Sequence, residues 1–134
     1  MIAGHFNPVH IGHINMIKHA KQLGDYLIVV VCNDVQAGRK REKIFMPAVE
    51  RAAILKEFKD IDEVIIADDI TTHIAGTLEK YRPDVFANGC NNNHPDLLVE
   101  MEVCQKYGIE VVLNVGGPKI RNSSELLSDY AKRD

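Results

Sequence analysis

The sequence predicts an α/β fold, a single domain (residues 1–134) built on an open parallel sheet with helices on both faces. Three observations carry this expectation. Short β-branched runs alternate with helix-length amphipathic segments from one end of the 134 residues to the other, the pattern of strands joined by right-handed crossovers. The longest apolar run, YLIVVVCN at residues 26–33, is continuous, as a strand covered on both faces must be. The length suits one core and is too short for two.

Residues 1–3 before Gly4 form a first strand, short enough to suggest that the natural chain begins a few residues earlier. Residues 13–23 place Ile14, Ile17, Ala20 and Leu23 at helical spacing, and Gly24 supplies a stop. The strand at 26–33 leads into a loop, 33–46. Pro47 opens a helix at a first-turn position, running to about Lys59 with Ala52, Ile54, Leu55 and Phe58 as its apolar set. Residues 63–67 (EVIIA) form a third strand. The helix over 72–81 must end before Arg82 and Pro83, because the residue before a proline is steered out of helical geometry. Residues 84–87 form a fourth strand. Pro95 starts a helix ending near Tyr107 and Gly108, residues 110–113 form a fifth strand, and 123–132 a terminal helix. Ligands of such folds bind beyond the carboxyl ends of the strands, so the loops at 4–13, 33–46, 89–95 and 116–124 can line one cleft.

Bulk chemistry excludes several classes. A net charge of −3 gives no overall basic field for nucleic acid or an anionic membrane, although Arg39, Lys40 and Arg41 form a local basic cluster. No apolar run approaches the ~18 residues of a membrane span, and the N-terminus lacks the basic-then-apolar pattern of a secretory leader. The three cysteines are odd in number and without metal-ligand spacing. Cys32 and Cys104 read as core residues and Cys90 as part of a loop, which fits reduced thiols in the cytoplasm.

The chemistry concentrates in the first thirteen residues, MIAGHFNPVHIGH. A strand runs into Gly4, a turn follows, and a helix begins near His13. A helix N-terminus presents backbone N–H groups and a favourable dipole to anions. Gly4 and Gly12 let a ligand approach the main chain. His10 and His13 add donors that strengthen as charge builds in a transition state. The bland alternative is a helix cap with an incidental histidine. The run RKREK at 39–43 is, taken alone, a solvated loop; Lys59 is a helix-end charge; Arg51 anchors a helix. His94 before Pro95 is a surface turn residue. Ser123 and Ser124, at a helix start, can cap it or bind phosphate.

The string GHFNPVHIGH at 4–13 resembles the signature of the HxGH nucleotidyltransferase superfamily, the cytidylyltransferase-like enzymes. The likeness covers nearly the whole chain. Residues 24–31, Asp34, the basic segment 39–43, Glu50 with Arg51, residues 61–65 and residues 82–86 are similar to segments of its glycerol-3-phosphate cytidylyltransferase and heptose-phosphate adenylyltransferase branches. The resemblance implies a Rossmann-like nucleotidyltransferase fold. It also implies transfer of AMP or CMP from ATP or CTP, with Mg²⁺ accompanying the triphosphate, onto a sugar-, polyol- or alcohol-phosphate with release of pyrophosphate. Catalysis of that step is mainly positioning and charge stabilisation.

On this resemblance His10, His13 and Lys40 or Lys43 are the catalytic residues, the lysine loop closing over the triphosphate. Gly4, His5, Phe6, Asn7, Gly12, Lys59, Gly89, Asn91, Asn122, Ser123 and Ser124 are the nucleotide-binding set, with no protein metal ligand. Ser123 and Ser124 match the last two hydroxyl positions of an I-S-S-T-like motif, and Asn122 replaces the first. Two departures stand out. An R-T-E-G stretch is replaced by Gly117, Pro118, Lys119 and Ile120, so base selectivity does not carry over; Lys119 or Arg121 are substitutes the sequence does not choose between. The acidic group usual after Gly89 is replaced by Cys90, Asn91, Asn92, Asn93 and His94, which argues against a metal-carboxylate role there. Asn7-Pro8-Val9 is closer to the mononucleotide adenylyltransferases, an alternative activity; a nucleotide-binding module without turnover is another. A homodimer is the assembly the resemblance implies.

Overall fold

The β-branched runs pair as parallel strands in the computed structural model, which describes residues 1–39, 43–89, 94–118 and 121–132. In chain order the elements are β1 (Ile2–Gly4), α1 (Ile11–Lys21), β2 (Ile28–Val31), α2 (Asp34–Arg39), α3 (Ala48–Leu55), β3 (Glu63–Ile66), α4 (Ala75–Tyr81), β4 (Val85–Ala87), α5 (Pro95–Tyr107), β5 (Glu110–Val112) and α6 (Ser123–Ala131). β2 pairs with β1 and with β3, and β4 with β5, all in parallel. Met1 joins the two ladders: its nitrogen donates to the Val85 carbonyl at 2.8 Å, and its own carbonyl accepts from the Ala87 N–H at 2.9 Å. The strand order is therefore β3-β2-β1-β4-β5, doubly wound, with the direction of winding reversing between β1 and β4.

Alternation along β2 shows why both faces carry helices. Val29 and Val31 pack with Ile17, Ala52 and Leu55 of α1 and α3. Val30 and Cys32 pack with Leu78, Leu97 and Cys104 of α4 and α5. Successive strand residues face opposite sides, so a continuous apolar run feeds two cores at once. Cys32 and Cys104 are buried, as expected of core residues.

The 33–46 stretch is not wholly loop. Asp34–Arg39 form α2, started by a reciprocal pair in which the Asn33 N–H donates to Gln36 Oε1 and the Gln36 N–H donates to Asn33 Oδ1, each at 2.9 Å. This is a capping box in Asn-x-x-Gln form, legible in the letters NDVQ but easily passed over before so short a helix. The first helix starts at Ile11 and closes at Gln22 in right-handed geometry, two residues before Gly24. α3 ends at Leu55, short of the expected Lys59, and α4 begins at Ala75, later than the expected 72. α4 and α5 stop where expected, at a left-handed Arg82 and a left-handed Gly108. Among the described residues no helix is long and apolar enough to cross a membrane.

Candidate active site

Beyond β1 the chain turns sharply around Phe6, whose ring is buried and lies directly beneath Gly4. A side chain at Gly4 would place its Cβ 3.2 Å from that ring, so the ring would have to give by a few tenths of an ångström to admit it. The same ring packs against His13, centroids 4.7 Å apart. His10 then begins α1 as its N-cap, Nδ1 accepting the Gly12 N–H at 3.1 Å. Reciprocally, the His10 N–H donates to His13 Nδ1 at 3.1 Å. The two rings stack with centroids 3.8 Å apart.

These bonds fix the chemistry of the pair. An Nδ1 that accepts a backbone N–H carries no proton, so each neutral imidazole holds its proton on Nε2. Burial, and then the Arg121 guanidinium, lower the His10 pKa. Burial, and then His10 itself, push that of His13 down to about 3. Near neutral pH both side chains are uncharged Nε2–H donors, held in place by the first turn of a helix whose dipole favours anions. A side chain at Gly12 would meet the His10 ring at 3.0 Å.

The histidines line a cavity of about 280 Å³ at the carboxyl ends of β1 and β4, where the winding reverses. One wall is Gly4, His5, Phe6 and the start of α1 with Met16; the floor is Asn88 and Gly89 after β4; the far wall runs from Val115 to Pro118 and from Arg121 to Ser124. Gly116 has φ +94°, and a Cβ there would lie 3.0 Å from Met16 Cα. Its N–H donates to His19 Nδ1 at 2.9 Å. The 115–118 loop is thus pressed against α1 through a residue that only glycine suits.

The structure sorts the expected residues. Gly4, His5, Phe6, His10, Gly12, His13, Gly89, Asn122, Ser123 and Ser124 meet at one cavity. Asn122, not a serine, caps α6: its Oδ1 accepts from the Ser124 and Glu125 N–H groups at 2.8 and 3.3 Å. The Ser123 hydroxyl donates to the Pro8 carbonyl at 2.7 Å, tying the two walls together, and Ser124 faces the cavity beside it. Asn7 does not line the cavity; it is buried one layer back and bonded to the 43–46 segment.

Lys59 is a correction. It precedes β3, hence lies at the amino edge of the sheet, in a separate depression with Ile14, Ile17, Phe58 and Asp60, and cannot neutralise phosphate in the cleft. Lys43 is exposed and outside the cavity lining. Lys40 and Asn91 lie outside the described residues, as do Cys90, Asn92, Asn93 and Lys119.

Arg51 is an anchor of the fold. Buried at the start of α3, it donates to the carbonyls of Met46, His5 and Cys32 and to Asp34 Oδ1. Eight lining residues fall outside the expected site set: Ala3, Met16, Asn88, the 115–118 loop and Arg121. Met16 was legible as the residue one helical turn beyond His13, and Asn88 as the residue following β4. Arg121 is one of the two substitutes the sequence offers, and the return of the chain after β5 brings it beside His10.

The sequence model of the cytidylyltransferase-like family matches residues 1–115. The chain belongs to the cytidylyltransferase-like family. It is a nucleotidyltransferase, and the histidine cavity lies at the switch point of the sheet, where open α/β folds bind ligands. Relatives of this family member include a protein named FAD synthase from Picrophilus torridus, 30% identical over 94% of this chain and 91% of its own length. Another FAD synthase, from Pyrococcus abyssi, is 37% identical over 83% of this chain and 74% of its own. Among solved structures, the lipopolysaccharide core biosynthesis protein of Thermoplasma volcanium superposes with a TM-score of 0.70 at 29% identity, covering 84% of this chain and 90% of that one.

Proposed function

We propose that this chain is an adenylyltransferase that joins ATP to FMN, forming FAD and pyrophosphate. The observation that carries the transfer is the fixed pair of Nε2–H donors at the mouth of the switch-point cavity. The choice of ATP and FMN is supported by the relatives named FAD synthase.

In this reading a phosphate oxygen of FMN attacks the α-phosphorus of ATP in line. The new P–O–P bond forms as the bond from the α-phosphorus to the bridging oxygen breaks, and pyrophosphate departs with that electron pair. His10 and His13 donate to the phosphoryl oxygens as charge builds on them. Being neutral and preset by backbone bonds, they need no reorganisation at the moment of reaction. Arg121, at the rim beside His10, adds positive charge, and Ser124 lies on the opposite wall.

The described lining residues include no carboxylate. That donor set fits Mg²⁺ arriving as part of the substrate, bound to the triphosphate and water rather than to a protein cage. Lys40 or Lys43 is the residue that this reading assigns to the triphosphate. Assembly as a homodimer in the cytoplasm belongs to the same reading, and light scattering of the purified chain checks the dimer.

The test is direct. Purified chain with MgATP and FMN should release pyrophosphate and produce FAD, read by chromatography and flavin absorbance. Parallel arms replace ATP by CTP, and FMN by glycerol 3-phosphate or a sugar phosphate. FAD formed with ATP but not CTP supports the proposal. Turnover only with CTP, or only with a sugar phosphate, overturns the substrate assignment. Nucleotide binding without pyrophosphate release on any acceptor favours a binding module.

A further inference from the structure

Asn7 is buried, 3% exposed, yet its amide reaches a segment some forty residues downstream. Its Nδ2 donates to the Lys43 carbonyl at 2.7 Å. Its Oδ1 accepts from the Phe45 and Met46 N–H groups at 3.0 and 3.1 Å. Met46 is gripped from its other side as well, its carbonyl accepting from Arg51 Nε at 2.8 Å. Arg51 in turn donates to the His5 carbonyl. Two side chains thus bind the 43–46 segment to the turn that leads into His10. The position demands a donor and a double acceptor on one small planar group. Aspartate has the same shape but, ionised, accepts only, and would set a carboxylate against the Lys43 carbonyl.

We infer that Asn7 is a positioning residue for nucleotidyl transfer: it fixes the 43–46 segment, and with it the backbone of Lys43, against the turn that carries the histidine pair. The inference rests on the reading that this segment serves the triphosphate. Asn7 touches no reacting atom; it acts through the segment it holds. This gives Asn7 a role distinct from nucleotide contact, and explains why the amide suits the site better than the acid.

The test compares wild type with Asn7→Asp and Asn7→Ala as full chains, by FAD formation from about pH 8 to about pH 5.5 and by trypsin cleavage after Arg39 and Lys43, mapped by mass. At the alkaline end Asn7→Asp should lose catalytic efficiency by roughly 10- to 100-fold, the scale of a misplaced substrate-holding segment, with a raised KM for MgATP. The deficit should shrink as the pH falls. A protonated carboxyl regains one donor and keeps its acceptor, and burial raises its pKa toward that range. Asn7→Ala should show no such recovery. Trypsin should cut after Lys43 faster in both variants than in wild type, at matched melting temperature.

A pH-independent deficit confined to kcat, or wild-type cleavage in both variants, overturns the inference. If Asn7→Asp does not fold, Asn7→Ser, which keeps one of the bonds, takes its place in the cleavage arm, where wild-type resistance is the overturning result. Should wild type turn over no acceptor, the transfer reading fails while the cleavage arm still decides whether Asn7 holds the segment.

Discussion

The backbone N–H of His10 donates to Nδ1 of His13 at 3.1 Å, so one residue of the pair sets the tautomer of the other. With the Gly12 N–H on His10 Nδ1, each imidazole is both part of the helix start and a donor to the cleft. Separating those two jobs gives the first expectation. His10→Asn keeps an excellent N-cap side chain but loses the Nε2–H donor. Its melting temperature should stay near wild type while kcat falls by ~10²-fold or more, the usual cost of removing a donor to developing charge. His10→Ala should lose both. Wild-type turnover in His10→Asn and His13→Ala would remove the pair from the mechanism.

Acid stability follows from the same burial. His13 titrates near 3 in the folded chain against 6.5 in its ordinary state. Between those values the unfolded chain binds more protons, so stability falls as pH falls from about 6.5 toward about 3. One such group steepens the dependence by at most about 1.4 kcal/mol per pH unit. Urea unfolding at neutral and mildly acidic pH should show a smaller loss in His13→Gln than in wild type; an equal loss would assign the acid sensitivity elsewhere.

Gly116 and Gly38 make an opposed pair. At Gly116, φ is +94° and a Cβ would press on the Met16 backbone, so Gly116→Ala should destabilise by about 1–3 kcal/mol and weaken nucleotide binding by shifting the 115–118 wall. Gly38 lies in α2 with open space around it, so Gly38→Ala should stabilise by roughly 0.5–1 kcal/mol. Chemical denaturation of both variants checks the sign at each site.

Ser123 and Ser124 should also part company. Ser123→Ala removes the bond to the Pro8 carbonyl and should cost about 1 kcal/mol, with faster hydrogen exchange in α6. Ser124→Ala should leave stability unchanged and raise the KM for MgATP. Identical profiles for the two would mean that the serines share one role.

Local chemistry explains what was legible early. The period of β2, the proline and glycine signals around α3, α4 and α5, and the turn before His10 depend on neighbours a few residues apart, and the elements appear where those signals put them. The NDVQ capping box was present but preceded a helix of only six residues, too short for periodicity to register. The serine pair was correctly placed at a helix start, yet the cap is Asn122, because an extended N-cap residue with a short amide satisfies two N–H groups at once.

The sequence by itself determined the alternation of strand and helix, the family likeness and the histidine turn. Tertiary structure decided which edge of the sheet each loop occupies: it removed Lys59 from the cleft, brought Arg121 into it, and sent the Ser123 hydroxyl to Pro8 and the Asn7 amide to Lys43. Strand order and long-range hydrogen bonds join residues far apart in the chain. No local pattern encodes those distances until both cores have closed around the sheet.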